Sequence, residues 1–233
     1  ISMCKLLIGC PVTDRNWILP TWFKYAQDAC DVAGVDAQYV FLVPEDDEET
    51  IDCISEHSNA TIALGTQQAY PGDHKWSGAR YENMVSLRNE LLSWVRIKHP
   101  DYFFSLDSDI LLHPHAIRNL LEDMEDYDYW AVGSKCYLSR TSVKFPNAGT
   151  WVGRGFRRAN TRGVSKVGVI MAAKMMGPDA YNTDYQYHSM GEDLGWSRAV
   201  IEAGGTLGFD GRVTNKHIMD ERRLDLTDDR VGW

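Results

Sequence analysis

The chain has 233 residues, 44% of them hydrophobic and 24% charged, enough to bury the core of one large α/β domain and too ordinary in composition for wholesale disorder. The formal charge of −9 argues against a wholly electrostatic nucleic-acid binder, and no apolar run approaches a membrane span. The five cysteines are odd in number and lack C-x-x-C spacing, so they read as reduced thiols of a cytoplasmic protein rather than a disulfide framework or zinc site. The N-terminus lacks the order of a signal peptide, and Met3 reads as the natural start.

In chain order, Lys5–Gly9 reads as a first strand. Asp14 or Asn16 is expected to cap a helix running to Ala33, with Pro20 in its first turn and Gly34 as its stop. Gln38–Val43 is a second strand, followed by the acidic loop Glu45–Glu49, a short helix to about Glu56 and a third strand, Ala60–Leu64. This alternation predicts a mostly parallel sheet. Residues 65–80 read as a polar loop, and Tyr81–Lys98 as a helix with Met84, Leu87, Leu91 and Val95 on its apolar stripe. Within it, Arg88-Asn89 reads by itself as part of the wet face.

Tyr102–Leu106 is a short apolar run after Pro100 and reads as a buried strand. Asp107 and Asp109 follow it, separated by Ser108. Ligands of open α/β sheets gather at the carboxyl ends of strands, and two carboxylates there can share a divalent cation such as Mg²⁺, Mn²⁺ or Ca²⁺. The competing reading is that an aspartate at a strand end simply caps the next turn. Pro114 opens a helix to about Met124, flanked by His113 and His115, and Tyr129–Gly133 is another strand.

From Tyr129 to Pro178 there is no acidic residue, whereas Lys135, Arg140, Lys144, Arg154, Arg157, Arg158, Arg162, Lys166 and Lys174 are basic. The part from 134 to 165 reads as a long loop with a hairpin, its cations interleaved with Tyr137, Phe145, Trp151 and Phe156; a loop this long inside a compact domain is either functional or disordered. Lys166–Ala173 reads as a strand, Gly191–Ala203 as a helix ended by Gly204-Gly205, and Thr206–Phe209 as a short strand. Glu192 and Asp193 open that helix, where acids also simply favour the helix dipole. His217 stands alone in the polar end, where a lone histidine is also an ordinary surface residue.

Leu106-Asp107-Ser108-Asp109 after a strand, Gly191-Glu192-Asp193 opening a helix, and the late His217 together resemble a glycosyltransferase of the GT-A fold. Arg88-Asn89-Glu90-Leu91-Leu92 is similar in local pattern to fungal mannosyltransferases, and Glu192-Asp193 with Arg198 and Gly204-Gly205 to family-2-type enzymes. The resemblance implies one GT-A domain over 1–233, with a nucleotide-sugar-binding half to about residue 133 and an acceptor and catalytic half from about 134. It implies a metal-dependent hexosyl- or pentosyltransferase that moves a sugar from a nucleotide-diphosphate sugar to an acceptor hydroxyl.

By the same resemblance, Pro11, Thr13 and Arg15 frame the nucleotide, Asp46 faces its base or ribose, and Arg88 approaches its phosphate or sugar. Asp107, Ser108 and Asp109 form the D-x-D motif at the donor. Asp107, Asp109 and His217 hold Mn²⁺ or Mg²⁺, and Asp193, with Glu192 next in line, matches the catalytic base of inverting members. The acceptor is a saccharide, a protein, a small molecule or a hydroxylated base of modified DNA. A non-catalytic nucleotide-sugar or carbohydrate-binding module needs the metal site but no base. Dehalogenase-type phosphatases place D-x-D after the first strand and want Thr or Val where this chain has Leu111.

Overall fold

The computed structural model describes residues 4–65, 77–138, 145–153 and 155–227. Met3, Arg140, Lys144, Arg154 and most of the polar loop expected at 65–80 lie outside the described residues. The elements in order are β1 Leu6–Pro11, α1 Leu19–Ala33, β2 Ala37–Pro44, α2 Glu48–Ser55, β3 Ala60–Gly65, α3 Gly78–Lys98, β4 Tyr102–Ser105 and β5 Ile110–Leu111. They continue with α4 Ala116–Asp126, β6 Ala131–Ser134, β7 Ala148–Val152, β8 Gly155–Arg158, β9 Val164–Val167, β10 Val169–Ile170 and β11 Lys174–Met176. Last come α5 Pro178–Tyr181, α6 Glu192–Glu202, β12 Leu207–Asp210, β13 Lys216–His217 and a 3₁₀ turn, Glu221–Thr227.

Eight strands form one mixed sheet in the order β3-β2-β1-β4-β11-β6-β12-β9. Strands β3, β2, β1 and β4 run parallel, as the alternation of the first hundred residues predicts. Beyond β4 the sheet becomes mixed: β6 and β12 pair parallel and keep the direction of the first four strands, whereas two strands are reversed. There β11 runs antiparallel between β4 and β6, and β9 runs antiparallel to β12. Alternate residues of β1 supply two cores. Leu6, Ile8 and Cys10 face α1 and α4, while Leu7 joins Leu91, Leu92 and Val95 of α3 and Trp196 and Val200 of α6. All five cysteines are unpaired, and burial pushes the Cys30 thiol up to about 12.

Four local expectations are corrected. Helix α1 starts at Leu19, with Ile18 in the capping position and no side-chain cap. Asp14 instead takes φ 52°, and Asn16 donates to Glu49 at 2.7 Å. The run Lys166–Ala173 is not one strand but serves two sheets. Its first part pairs β9 with β12, Gly168 turns, and β10 pairs with β7. Ala172, at φ 59°, then swings the chain into β11. The Arg88-Asn89 pair is not a wet face: Arg88 is 4% exposed, and Asn89 exchanges hydrogen bonds with the backbone of Tyr185 at 2.7 and 3.0 Å. Finally, the polar end contains β13, which pairs antiparallel with β5.

At the carboxyl end of β12, Arg212 joins two buried acids, donating from Nε to Asp210 at 2.9 Å and from Nη2 to Asp123 at 2.7 Å. Burial, then the charge of Asp210, push the Asp123 carboxyl up to about 6 despite this arginine. An acid whose pKa is raised in the folded state binds its proton more tightly there, so stability rises as pH falls from above about 6 toward the ordinary aspartate range. Arg212→Ala is therefore expected to cost about 2–3 kcal/mol near neutral pH, discounted from a fully buried pair because the arginine is partly exposed. Urea denaturation at about pH 7 and about pH 5 should show the loss shrinking at the lower pH. An equal loss at both contradicts the assignment.

Candidate donor and metal site

Strand β4 ends at the carboxyl rim of the sheet, and the chain turns at Ser108 and Asp109 into β5. Three contacts fix this turn. Leu106 donates its N–H to the carbonyl of Gly9 at 3.2 Å, Trp22 of α1 donates Nε1–H to the carbonyl of Asp107 at 3.1 Å, and Ile110 N–H returns to the same carbonyl at 3.0 Å. The two aspartates then separate. The Asp107 carboxylate accepts from Nη2 of Arg88 at 2.6 Å, while Asp109 faces His217 at 3.4 Å. Ser108 is buried between them.

His217 arrives through the β5–β13 pairing, which sets it opposite Ile110, and Ile218 N–H donates to the carbonyl of Asp109 at 2.7 Å. Asn215 secures the approach by accepting from His113 N–H at 2.8 Å and donating to Ser134. The imidazole is oriented from both sides. Its Nδ1 lies 3.0 Å from the carbonyl oxygen of Tyr137, which can only accept, so Nδ1 carries a proton. In the neutral ring Nε2 is then a bare lone pair aimed at a carboxylate oxygen. Two acceptors face each other at 3.4 Å, a contact that is favourable only with a proton or a cation between them. Burial alone would lower the pKa of His217; the hydrogen bond and charge of Asp109 outweigh it and raise it. Conversely, burial would raise Asp109, but His217 outweighs it and Arg15 adds to the lowering.

A histidine whose other ring nitrogen is fixed on a backbone carbonyl is the usual orientation of a metal ligand, so Asp109 and His217 fit a divalent cation. Asp107 is turned away toward Arg88. Among the described residues no three His, Cys, Asp or Glu side chains converge as a ready metal cage.

Across the rim, α6 presents two buried acids in its first turn, with Gly191 at φ 132° preceding them. They have different partners. Asp193 accepts from Ala172 N–H at 3.0 Å and is ion-paired with Lys174, which is completely buried. Lys174 opens β11 opposite Ser105 and lies 5.2 and 5.1 Å from the ring centroids of Tyr185 and Trp196. Glu192 instead points to Arg88, with Oε1 3.8 Å from Nη2. Burial and the neighbouring Asp193 raise the Glu192 pKa, and Arg88 offsets this only in part. Lys174 was invisible as a site residue because it sits in an apolar run, Ala172-Ala173-Lys174-Met175-Met176. A cation in a buried run is itself the signal, since it demands a carboxylate.

The carboxyl ends of β1 and β2 border a cleft of about 460 Å³ lined by Thr13, Asn16 and the acids Asp14, Asp46, Asp47, Glu48 and Glu49. Asp47 is engaged, capping α2 through Thr50 N–H and accepting from Asp14 N–H at 2.7 Å, whereas Asp46 is exposed. The Thr13 hydroxyl is buried without a hydrogen-bond partner among the described residues. An acid-lined cleft repels phosphate but suits hydroxyl and amino donors, as ribose and a base provide. Pro11 ends β1 beside it, and Arg15 lies with its guanidinium 5.7 Å from the Trp17 ring centroid.

No protein-family model matches this chain, and no curated protein does either. Among the described residues no helix is long and apolar enough to cross a membrane.

A divalent cation at this pair would compete with the proton between His217 and Asp109, so Mn²⁺ affinity should rise with pH through the range in which the raised imidazole titrates. Calorimetric titration at about pH 6 and about pH 8 should show tighter binding at the higher value, with proton release at the lower. His217→Ala should abolish that pH dependence. Equal affinity and no proton release at either pH contradict the pairing.

Proposed function

We propose that this chain is a metal-dependent glycosyltransferase of the GT-A type that moves a sugar from a nucleotide-diphosphate donor to an acceptor hydroxyl. The observation that carries this reading is the facing pair Asp109 and His217, oriented by Tyr137 and set at the carboxyl end of β4 next to the acid-lined cleft. The cleft has the chemistry for base and ribose, with Thr13 and Asp46 as the partners on offer. Asp109 and His217 are the residues that would hold Mn²⁺ or Mg²⁺. When bound, the cation supplies charge stabilisation for a diphosphate leaving group without a proton. Arg15 adds positive charge on the same side, and Arg88 with Asp107 forms a fixed ion pair facing the transferred sugar.

In the transfer, an acceptor oxygen bonds to the anomeric carbon, the carbon–oxygen bond to the phosphate breaks, and its electron pair leaves with the diphosphate. The hydroxyl proton goes to a carboxylate. Glu192 is the better proton acceptor of the pair on α6, because burial raises its pKa and Arg88 still orients it. Asp193 is committed to Lys174 and Ala172, so it acts as a positioning residue that holds the first turn of α6 against β11.

Release of nucleoside diphosphate from a panel of nucleotide sugars tests the reading. Activity should vanish in chelator, return with Mn²⁺ or Mg²⁺, and be lost in Asp109→Asn with the fold retained. Glu192→Gln should lower turnover about 10²–10⁴-fold with little loss of stability. Asp193→Asn should instead cost about 3–5 kcal/mol of stability, because it strands the buried Lys174 charge. Full turnover in Asp109→Asn, or in chelator, contradicts the donor site. A stable Asp193→Asn with turnover lower than that of Glu192→Gln reverses the two roles.

A further inference from the structure

His217 reaches Asp109 on very little regular structure. The β5–β13 ladder pairs only Lys216 with Leu111 and His217 with Ile110, too short a pairing to hold its register unaided. Three segments distant in sequence must also meet before the pair can form. One runs from Asp109 through β5 to His113, the second from Ser134 to Tyr137, and the third from Gly211 to His217.

Two buried side chains fix parts of this arrangement without placing the imidazole. Lys135 holds the start of the third segment, its Nζ donating to the carbonyls of Thr161 at 2.8 Å and Gly211 at 2.5 Å. Asn147 holds the second segment next to Tyr137. Its Oδ1 accepts from Cys136 N–H at 2.8 Å, and its own N–H donates to the Cys136 carbonyl at 3.1 Å. With these contacts alone, Tyr137 would stay in place while the chain beyond Gly211 remained free to shift.

Asn215 joins all three segments. It belongs to the third, and its Oδ1 accepts from His113 N–H of the first at 2.8 Å. Its Nδ2 donates into the second, to Ser134 Oγ at 2.8 Å and to the Lys135 carbonyl at 3.1 Å. Its own N–H donates to that same carbonyl at 2.8 Å. At 2% exposure, water does not reach the amide to replace these bonds. Only a carboxamide serves here, because it accepts on one side and donates twice on the other. A carboxylate of the same shape would face the Lys135 carbonyl, and an apolar side chain would satisfy neither side.

We propose that Asn215 is the positioning residue of the cation site, holding the His217 imidazole in register between the Tyr137 carbonyl and Asp109. Partners that orient a metal-ligating histidine change affinity by roughly 10–100-fold when they are removed. The effect on the cation rests on the donor-site reading above; the orientation of the imidazole does not.

Two readouts of this chain test the proposal. The first is the downfield proton resonance of the hydrogen-bonded His217 Nδ1–H, identified by its absence in His217→Ala. The second is Mn²⁺ affinity by calorimetric titration at about pH 8, where competition from protons is small. Asn215→Ala should lose the resonance and bind Mn²⁺ roughly 10–100-fold more weakly. Ser134→Ala, which removes one acceptor of Nδ2, should weaken Mn²⁺ binding in the same direction and by less. Arg212→Ala is the control: it loosens the chain between β12 and β13 without touching the pair, and should keep both the resonance and the affinity. An unchanged resonance and affinity in Asn215→Ala, or an equal loss of both in Arg212→Ala, overturns the proposal. If Asn215→Ala does not fold, Ser134→Ala decides, and wild-type affinity in it overturns the proposal. A wild type that binds no Mn²⁺ but loses the resonance on Asn215→Ala supports the positioning and contradicts the cation site. Mn²⁺ binding that survives Asn215→Ala and is lost in Asp109→Asn contradicts the positioning and leaves the cation site standing.

Discussion

Two buried cations at one edge of a sheet govern the rest of this structure. Arg88 and Lys174 come from α3 and β11 and are nearly or wholly removed from solvent. A buried charge is tolerable only when paired, so each draws carboxylates to it. Asp107, Glu192 and Asp193 are those carboxylates, three acids around two cations. The surplus acid falls on Glu192, whose pKa burial and Asp193 raise. The raised pKa of Glu192, on which its proposed role as proton acceptor rests, is thus a consequence of how the rim balances its charge.

The topology explains why these charges meet. Parallel strands β1 and β4 bring their carboxyl ends to the rim, and β11 enters there antiparallel, delivering Lys174 beside Ser105. Its neighbour Ala172 holds a left-handed backbone conformation while donating to Asp193, a strained residue of the kind that accumulates at functional sites. On the other side, a pairing of only two residues, β5 with β13, brings His217 to Asp109 across more than a hundred positions of sequence. Rigid elements therefore mount both the Asp109–His217 pair and the Glu192–Asp193 pair.

The parts legible in the sequence were those whose signal is local. Apolar runs and breakers marked the β-α-β opening, Gly34 marked the end of α1, and the aspartates after Phe104 marked the rim. What stayed hidden depended on partners distant in sequence. Arg88 reads as solvated until Asp107 is seen beneath it, and Lys174 reads only as one more cation of the acid-free stretch, just past the strand expected at Lys166–Ala173. The two-residue strands β5 and β13 are too short to leave a periodicity. Lys166–Ala173 shows one apolar run because both halves are buried, although they belong to different sheets. The roles of Glu192 and Asp193 diverge only because each meets a different cation, which adjacency in sequence conceals.

Whether a nucleotide-sugar donor is held against Asp109 and His217 by a divalent cation is measured most directly by the melting temperature of this chain with nucleotide sugars in Mn²⁺ and in chelator. A ligand at about a hundred times its Kd stabilises by about 2.7 kcal/mol. For a chain of this size that corresponds to a rise of about 5 °C or more. At least one donor should give that rise in Mn²⁺ and lose it in chelator. A panel that leaves the melting temperature unchanged in Mn²⁺ and Mg²⁺, or shifts it equally in chelator, would contradict the donor site.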